Sequence, residues 1–266
     1  MQSLSEWFES LFFGENRCKV VTVIGSGGKT SLIWHLAVGF GRVASFVAKS
    51  NRKILVTPTT KMLVPEAGEK LYDRYINGVP PEPAPGITLT GIFNEASGKL
   101  ESLPLSELEK IIPAYDLVLI EGDGSKGLPL KAWAEYEPVV PPFTDLTIGM
   151  LPLGFLGKPV TEKLVHRLPL FLELSGAAPV ESLKPEHIVR LISGGTAGSG
   201  ASPLPGLFAK ARGKKLLFLN QVEDDDTLTQ ARKLAGLLPP RFREELCGII
   251  AGSVKENKVT VLLKRR

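Results

Sequence analysis

Residues 20–31 read VVTVIGSGGKTS, and this stretch decides the fold. The first five residues are typical of a buried strand. The glycines that follow let backbone N–H groups approach phosphate oxygens where the next helix begins. Lys29, expected to face solvent, would reach the β- and γ-phosphates, and Thr30 would offer its hydroxyl to Mg²⁺. The stretch therefore predicts a P-loop for a nucleoside triphosphate. The predicted phosphate-binding residues are Gly25, Ser26, Gly27, Gly28, Lys29, Thr30 and Ser31.

The loop differs from the usual P-loop pattern at one position. GxxxxGK[ST] has a glycine five residues before Gly28, where this chain has Val23. In this respect the loop resembles that of the Mur ligases, G-T-x-G-K-[ST], which also lacks that glycine. The alternative is a glycine-rich turn with a chance lysine, and the strand and helix patterns on either side argue against it.

An acidic segment follows a second apolar strand. Residues 116–121 read DLVLIE, and a nucleotide-bound Mg²⁺ usually needs a carboxylate at the end of a neighbouring strand. Glu121 is therefore the predicted magnesium ligand, together with Thr30. Glu121 and Asp123 would serve the metal or orient the attacking water, so they are the predicted catalytic residues beside Lys29.

The turn after Glu121 carries candidate substrate-binding residues. It places Ser125, Lys126 and Lys131 in one short stretch, which we expect to be flexible and able to bind an acidic acceptor. A solvated loop with ordinary turn chemistry is the alternative. Thr59 and Thr60 end another strand and would reach the metal or the substrate, or else cap the next helix.

Two further segments suggest ligand contacts. His166-Arg167 follows a glycine-containing segment and is predicted to line the substrate site. Asn220-Gln221-Val222-Glu223 follows an apolar strand and partly matches the N-K-x-D element by which many GTPases recognise guanine. Asn220 is therefore a candidate for base recognition, against a plain turn that starts the following helix.

Short β-rich runs alternate with helical patterns along the chain. Strands are predicted at 18–24, 53–57, 87–93, 116–121, 146–151, 215–220, 247–252 and 258–263, the last two as a hairpin. Helices are predicted at 3–13, 29–38 or beyond, 161–174, 184–192 and 226–238. This order predicts an α/β, P-loop NTPase-like fold with a mostly parallel sheet flanked by helices. We expect one domain over residues 1–266 that could include a small subdomain at about 150–210.

Composition excludes several classes of function. The 266 residues carry a formal charge of +4 with no basic, aromatic-rich face, so no nucleic-acid partner is expected. No apolar run reaches the roughly 18 residues of a membrane span. We therefore expect a cytoplasmic location and no membrane partner. Cys18 and Cys247 lack metal-ligand spacing and are expected to be reduced thiols.

Together these motifs resemble the YqeC family of accessory proteins linked to selenium-dependent molybdenum hydroxylases. The resemblance runs through GSGGKTS, residues 57–61, the segment EGDGSKGLPLKAWAEYEPVVP, the Val165-His166-Arg167 step and Leu219-Asn220-Gln221. The family usually has E-A-D-G-S-R and H-E-P in the acidic segment, where this chain has Gly122, Lys126 and Tyr136. Lys126 therefore lacks an arginine's bidentate fork.

The resemblance implies a role in maturing a molybdenum hydroxylase, with that enzyme or its molybdopterin cofactor as partner. Together with the motifs it predicts a protein that binds ATP or GTP with Mg²⁺ and hydrolyses the nucleotide. The alternatives are a small-molecule kinase or ligase with an acidic acceptor, and a non-catalytic scaffold gated by nucleotide.

Overall fold

The computed structural model describes residues 2–14, 18–41, 51–195 and 205–265. The stretch GGTAGSGASPLPG at residues 194–206 is typical of an irregular connection in its sequence, and most of it lies outside the described residues. The described part is a mixed α/β fold with a large, mostly parallel central sheet, as the sequence predicts. Cys18 and Cys247 are both free thiols.

The strands are β1 (Gln2–Ser3), β2 (Val20–Gly25), β3 (Lys53–Pro58), β4 (Lys61–Leu63), β5 (Arg74–Asn77), β6 (Gly86–Asn94), β7 (Lys99–Glu101), β8 (Leu117–Glu121), β9 (Leu130–Lys131), β10 (Leu146–Pro152), β11 (Val165–His166), β12 (Lys214–Asn220), β13 (Leu246–Ser253) and β14 (Lys258–Lys264). Within the described residues, one sheet has the order β1-β14-β13-β12-β10-β2-β8-β3-β6-β7-β4, and β5 also pairs with β6. The run from β13 to β6 is parallel throughout. The margins are antiparallel, and β9 and β11 form a separate pair.

The helices are α1 (Leu4–Phe13), α2 (Lys29–Gly41), α3 (Leu105–Ile111), α4 (Leu168–Ser175), α5 (Pro185–Ser193), α6 (Asp225–Leu237) and α7 (Pro240–Glu245). One face of the sheet packs against α1 and α2, and the other packs against α3, α4, α5 and α6. The alternation is visible in β12, where Phe218 joins the core under α2 while Leu217 and Leu219 join the opposite core. Central parallel strands are covered on both faces, which explains their nearly continuous apolar sequences.

The structure corrects the predicted helix over residues 161–174. The helix begins only at Leu168, because Val165 and His166 pair as β11 with Leu130 and Lys131 of β9. Arg167, between strand and helix, has φ +61°, which also prevents helical continuation. The short strands β4, β5 and β7 and the helices α3 and α7 were not predicted, whereas the C-terminal hairpin is confirmed.

None of the helices in the described part of the chain combines the length and apolar composition needed to span a bilayer.

Candidate functional site

The candidate site lies where the parallel strands end. The register pairs Gly25 of β2 with Met150 of β10, and Pro58 of β3 with Glu121 of β8. Asn220 ends β12 opposite Pro152. Ligands of open α/β sheets bind at this carboxyl edge because the connections leave a crevice there. The fold thus brings the predicted P-loop, acidic segment and Asn220 together.

Close backbone packing explains the glycines of the loop. Gly25 has φ +103°, and a Cβ there would lie 2.1 Å from the Met150 carbonyl oxygen. Gly27 has φ +72°, and its Cβ would lie 2.4 Å from the Pro152 side chain. The Ser26 backbone N–H donates to Met150 O at 2.9 Å, but its buried hydroxyl has no partner among the described residues. The loop therefore keeps a fixed path against β10.

Lys29 is buried in this structure, contrary to the expected solvent-facing position. Its side chain is 4% exposed, and Nζ donates to the Gly25 carbonyl at 2.8 Å. It also forms an ion pair with Asp123 at 3.3 Å. The ammonium group is thus held between the Gly25 carbonyl and the Asp123 carboxylate, and this position fixes where a bound anion would contact it.

Thr30 and Glu121 form the pair predicted for the metal. The Thr30 hydroxyl donates to Glu121 Oε2 at 2.9 Å. Adjacent ligands of an Mg²⁺ octahedron, each about 2.05 Å from the ion, are also about 2.9 Å apart. Burial raises the pKa of Glu121, and the Lys29 charge and the Thr30 hydrogen bond oppose that rise. A divalent cation at this position would favour the ionised carboxylate. The charge and the 2.9 Å spacing of the two oxygens therefore make the pair suitable for magnesium.

Asp123 anchors the start of the loop. It is fully buried, and both carboxylate oxygens accept from the Gly25 N–H, at 3.0 and 3.1 Å. Oδ2 also accepts from Trp133 Nε1 at 2.8 Å and from Lys131 at 3.2 Å. These contacts hold Gly25 and Lys29 in place. The catalytic role assigned to Asp123 stays a prediction.

A buried chain of charges continues from Asp123. Lys131 is fully buried and donates to Glu137 at 2.8 Å, and Arg167 donates to Glu137 at 2.6 Å. Burial raises the pKa of Glu137, but the bonds and charges of Arg167 and Lys131 outweigh it and leave the pKa lowered. Asp123 and Lys131, at the two ends of the turn that was expected to be flexible, are buried and paired, which argues against the alternative of a solvated loop at these positions.

A cavity of about 480 Å³ opens from the loop on the β8 side. Ser125 and Lys126, both predicted for substrate, line it next to Thr30 and Glu121. Lys61 of β4 and Lys99 of β7 also line it, and the Lys61 ammonium group pairs with Glu101 at 2.8 Å. The cavity thus joins the predicted metal pair to a lysine-rich wall.

A second cavity, of about 540 Å³, opens from the loop on the β12 and β13 side. Both cavities are lined by Gly27, Gly28, Ser31 and Gln221. Asn220, 5% exposed, donates from Nδ2 to Gly27 O at 2.8 Å and accepts from the Val254 N–H at 3.2 Å. The amide therefore links Gly27 of the loop to Val254, the residue after β13, and base recognition by Asn220 stays a prediction.

The remaining predicted substrate residues lie outside the walls of these cavities. The Thr59 hydroxyl donates to Val139 O at 2.6 Å, and the Thr60 hydroxyl is buried without a partner among the described residues. Arg167 belongs to the charge chain. Burial, then the charges of Arg167 and Lys131, lower the pKa of His166, which favours its neutral form. Their substrate roles stay predictions.

Comparison with known proteins gives two matches that agree with one another. The model of the family described as YqeC protein matches residues 21–169, which include the loop and the acidic segment. The protein described as "Uncharacterized protein YqeC" from Escherichia coli (strain K12) is 30% identical over 183 residues, or 67% of this chain and 69% of that protein. No solved structure matches the chain significantly.

Proposed function

The chain belongs to the YqeC family, and from that premise we propose that it binds ATP or GTP with Mg²⁺ at residues 25–31. Nucleotide binding or hydrolysis would then support maturation of a selenium-dependent molybdenum hydroxylase, with that enzyme or its molybdopterin cofactor as partner. The observation that carries the proposal is the Thr30–Glu121 pair at 2.9 Å beside the buried Lys29.

The loop supplies the phosphate contacts. The N-terminus of α2 and the backbone N–H groups of Gly27 and Gly28 attract anionic oxygens, whereas the Gly25 N–H is bonded to Asp123. Lys29 exchanges its bond to the Gly25 carbonyl for a phosphate oxygen, while Asp123 keeps the ammonium group in place. The loop therefore needs little rearrangement to accept a triphosphate.

Thr30 and Glu121 would hold Mg²⁺ through the hydroxyl and the carboxylate oxygens. When bound, the ion neutralises charge on the β- and γ-phosphate oxygens. Glu121 can also accept a hydrogen bond from an attacking water. Catalysis by these residues consists of positioning and electrostatic stabilisation.

The lysine-rich cavity supports a second candidate, a kinase or ligase that acts on an acidic acceptor. Lys61, Lys99 and Lys126 line it on the side of Glu121, where the γ-phosphate would lie. For transfer, the acceptor must reach the γ-phosphate from the side opposite the leaving group. This requires that the cavity be open to the metabolite. Turnover that requires an added metabolite favours this candidate, while tight binding without turnover favours a nucleotide-gated scaffold.

The test is calorimetric titration of the full chain with Mg·ATP and Mg·GTP. Lys29→Met removes a charged donor worth about 1.5–3 kcal/mol, so affinity for both nucleotides should fall roughly 10- to 100-fold. Lys110→Met, an exposed α3 lysine paired with Glu107, is the matched control and should leave binding unchanged. Circular dichroism checks folding. Equal affinities in wild type and a folded Lys29→Met would refute the loop assignment.

A further inference from the structure

We propose that the cavity at the carboxyl ends of β12 and β13 holds the base of the nucleotide and that Glu223 makes the site selective for guanine. This inference rests on the proposed nucleotide binding and adds the identity of the base and the residue that reads it. It concerns a residue at which the chain differs from the N-K-x-D pattern, since Glu223 stands where that pattern has aspartate.

The position of the cavity assigns it to the nucleoside. It shares Gly27 and Gly28 with the lysine-rich cavity, so a triphosphate on the loop has one cavity at each end. Thr30 and Glu121 line the β8 side only, and the metal and γ-phosphate belong with them. The base and ribose then extend to the other side, where about 540 Å³ is available.

Glu223 is the residue in this cavity whose chemistry distinguishes purines. It is exposed at the cavity wall, and its Oε1 accepts from the Ser253 hydroxyl at 3.2 Å. In the described part of the chain, Oε2 has no partner. Guanine presents two adjacent donors, N1–H and the 2-amino group, whereas adenine has an acceptor at N1 and no 2-amino group. An ionised carboxylate only accepts, so it can pair with both guanine donors at once, whereas adenine offers it only the 6-amino group.

Three neighbouring polar groups have partners of their own, and one of them, Ser253, also contacts Glu223. Asp224, the other carboxylate at the wall, caps α6 by accepting from the Thr227 N–H at 2.7 Å and from its hydroxyl at 2.8 Å. Ser253 is itself fixed, because its Oγ accepts from the Glu256 N–H at 3.2 Å. The Asn220 amide is used at both ends. Asp224 accepts both bonds from Thr227 through Oδ1, so the comparison of Glu223→Gln with Asp224→Asn separates the two carboxylates.

The decisive experiment is a change of base preference. Dissociation constants are measured with Mg²⁺ for GTP, ATP, ITP and XTP on the full chain and on Glu223→Gln. The wild type should bind GTP at least about tenfold more tightly than ATP or ITP, since inosine lacks the 2-amino group. In Glu223→Gln the amide can accept from N1–H and donate to the 2-oxo group of xanthine. The variant should therefore lose the GTP preference and bind XTP at least about tenfold more tightly than the wild type does.

Controls separate this inference from the proposed function. Glu256, which pairs with Lys258, lies in the turn of the β13–β14 hairpin, and Glu256→Gln is a carboxylate-to-amide change that should keep the wild-type order of nucleotide affinities. Asp224→Asn keeps a good helix cap. This variant should also keep the wild-type order of nucleotide affinities. Equal wild-type affinities for GTP and ATP, or a gain of XTP binding in Asp224→Asn instead, would overturn the role of Glu223 while leaving nucleotide binding intact. Absence of binding for every nucleotide would overturn the proposed function itself.

Discussion

Replacing Asp123 by asparagine tests whether this carboxylate is a structural anchor. The side chain is fully buried, and its oxygens accept from the Gly25 N–H, Trp133 Nε1 and Lys131. In Asp123→Asn, Oδ1 can still accept from Gly25. The amide nitrogen, however, would face the Trp133 N–H and the Lys131 ammonium. Because all three groups are hydrogen-bond donors, both of these hydrogen bonds would be lost.

The expected cost follows from these contacts. Removing one partner of a buried ion pair typically costs about 3–5 kcal/mol, because the opposite charge is left uncompensated. Lys131 retains Glu137 and the Gly124 carbonyl, and Lys29 retains the Gly25 carbonyl, so we expect the free energy of unfolding to fall by about 3 kcal/mol. For a chain of this size that is a drop of roughly 10 °C in Tm.

Urea unfolding of Asp123→Asn beside Glu121→Gln is the assay. Glu121 is 6% exposed, and the amide keeps the acceptor for Thr30 while removing a charge that burial disfavours. Glu121→Gln should therefore be as stable as the wild type or more so, with Mg²⁺-dependent turnover reduced roughly a hundredfold, about 3 kcal/mol. A loss below about 1 kcal/mol for Asp123→Asn, or unchanged turnover in Glu121→Gln where the wild type is active, would refute the division of roles.

Three other expectations can be measured in the same way. Without Mg²⁺, the raised pKa of Glu121 means that the folded state binds more protons than the unfolded state near the ordinary value of 4.5. The contribution of Glu121 to the free energy of unfolding should therefore weaken as pH rises above about 4.5. Unfolding curves of Glu121→Gln measured over the same pH range should lack this pH dependence. Asn220→Ala leaves the Gly27 carbonyl and Val254 N–H unpaired, which should cost about 2 kcal/mol in urea unfolding and weaken ATP and GTP equally, whereas a selective loss of GTP would assign base recognition to Asn220. Arg167→Lys cannot bond Glu137, Ala132 O and Tyr136 together and should lower stability by about 1 kcal/mol; no change in Tm would contradict this.

The two acids illustrate how far sequence reasoning reaches into the site. Both Glu121 and Asp123 follow an apolar strand, and the motif pairs them as catalytic candidates. The structure separates them: Glu121 meets Thr30 at the cavity, whereas Asp123 lies beneath the loop among Gly25, Lys131 and Trp133. Residues that lie two positions apart at the end of a strand can face different surroundings. Only the packing of neighbouring segments decides which of them contacts the cavity and which lies beneath the loop.

The sequence by itself determined the parallel α/β fold and the loop of residues 25–31, because strand and helix periodicities and the glycine pattern are local signals. Tertiary structure alone decided the burial of Lys29 and the two cavities. Lys99 and Glu223 line cavities that also contact the loop, yet they lie far from it along the chain. Contacts between strands distant in sequence follow from sheet order and register, which depend on the packing of the whole core rather than on any short segment.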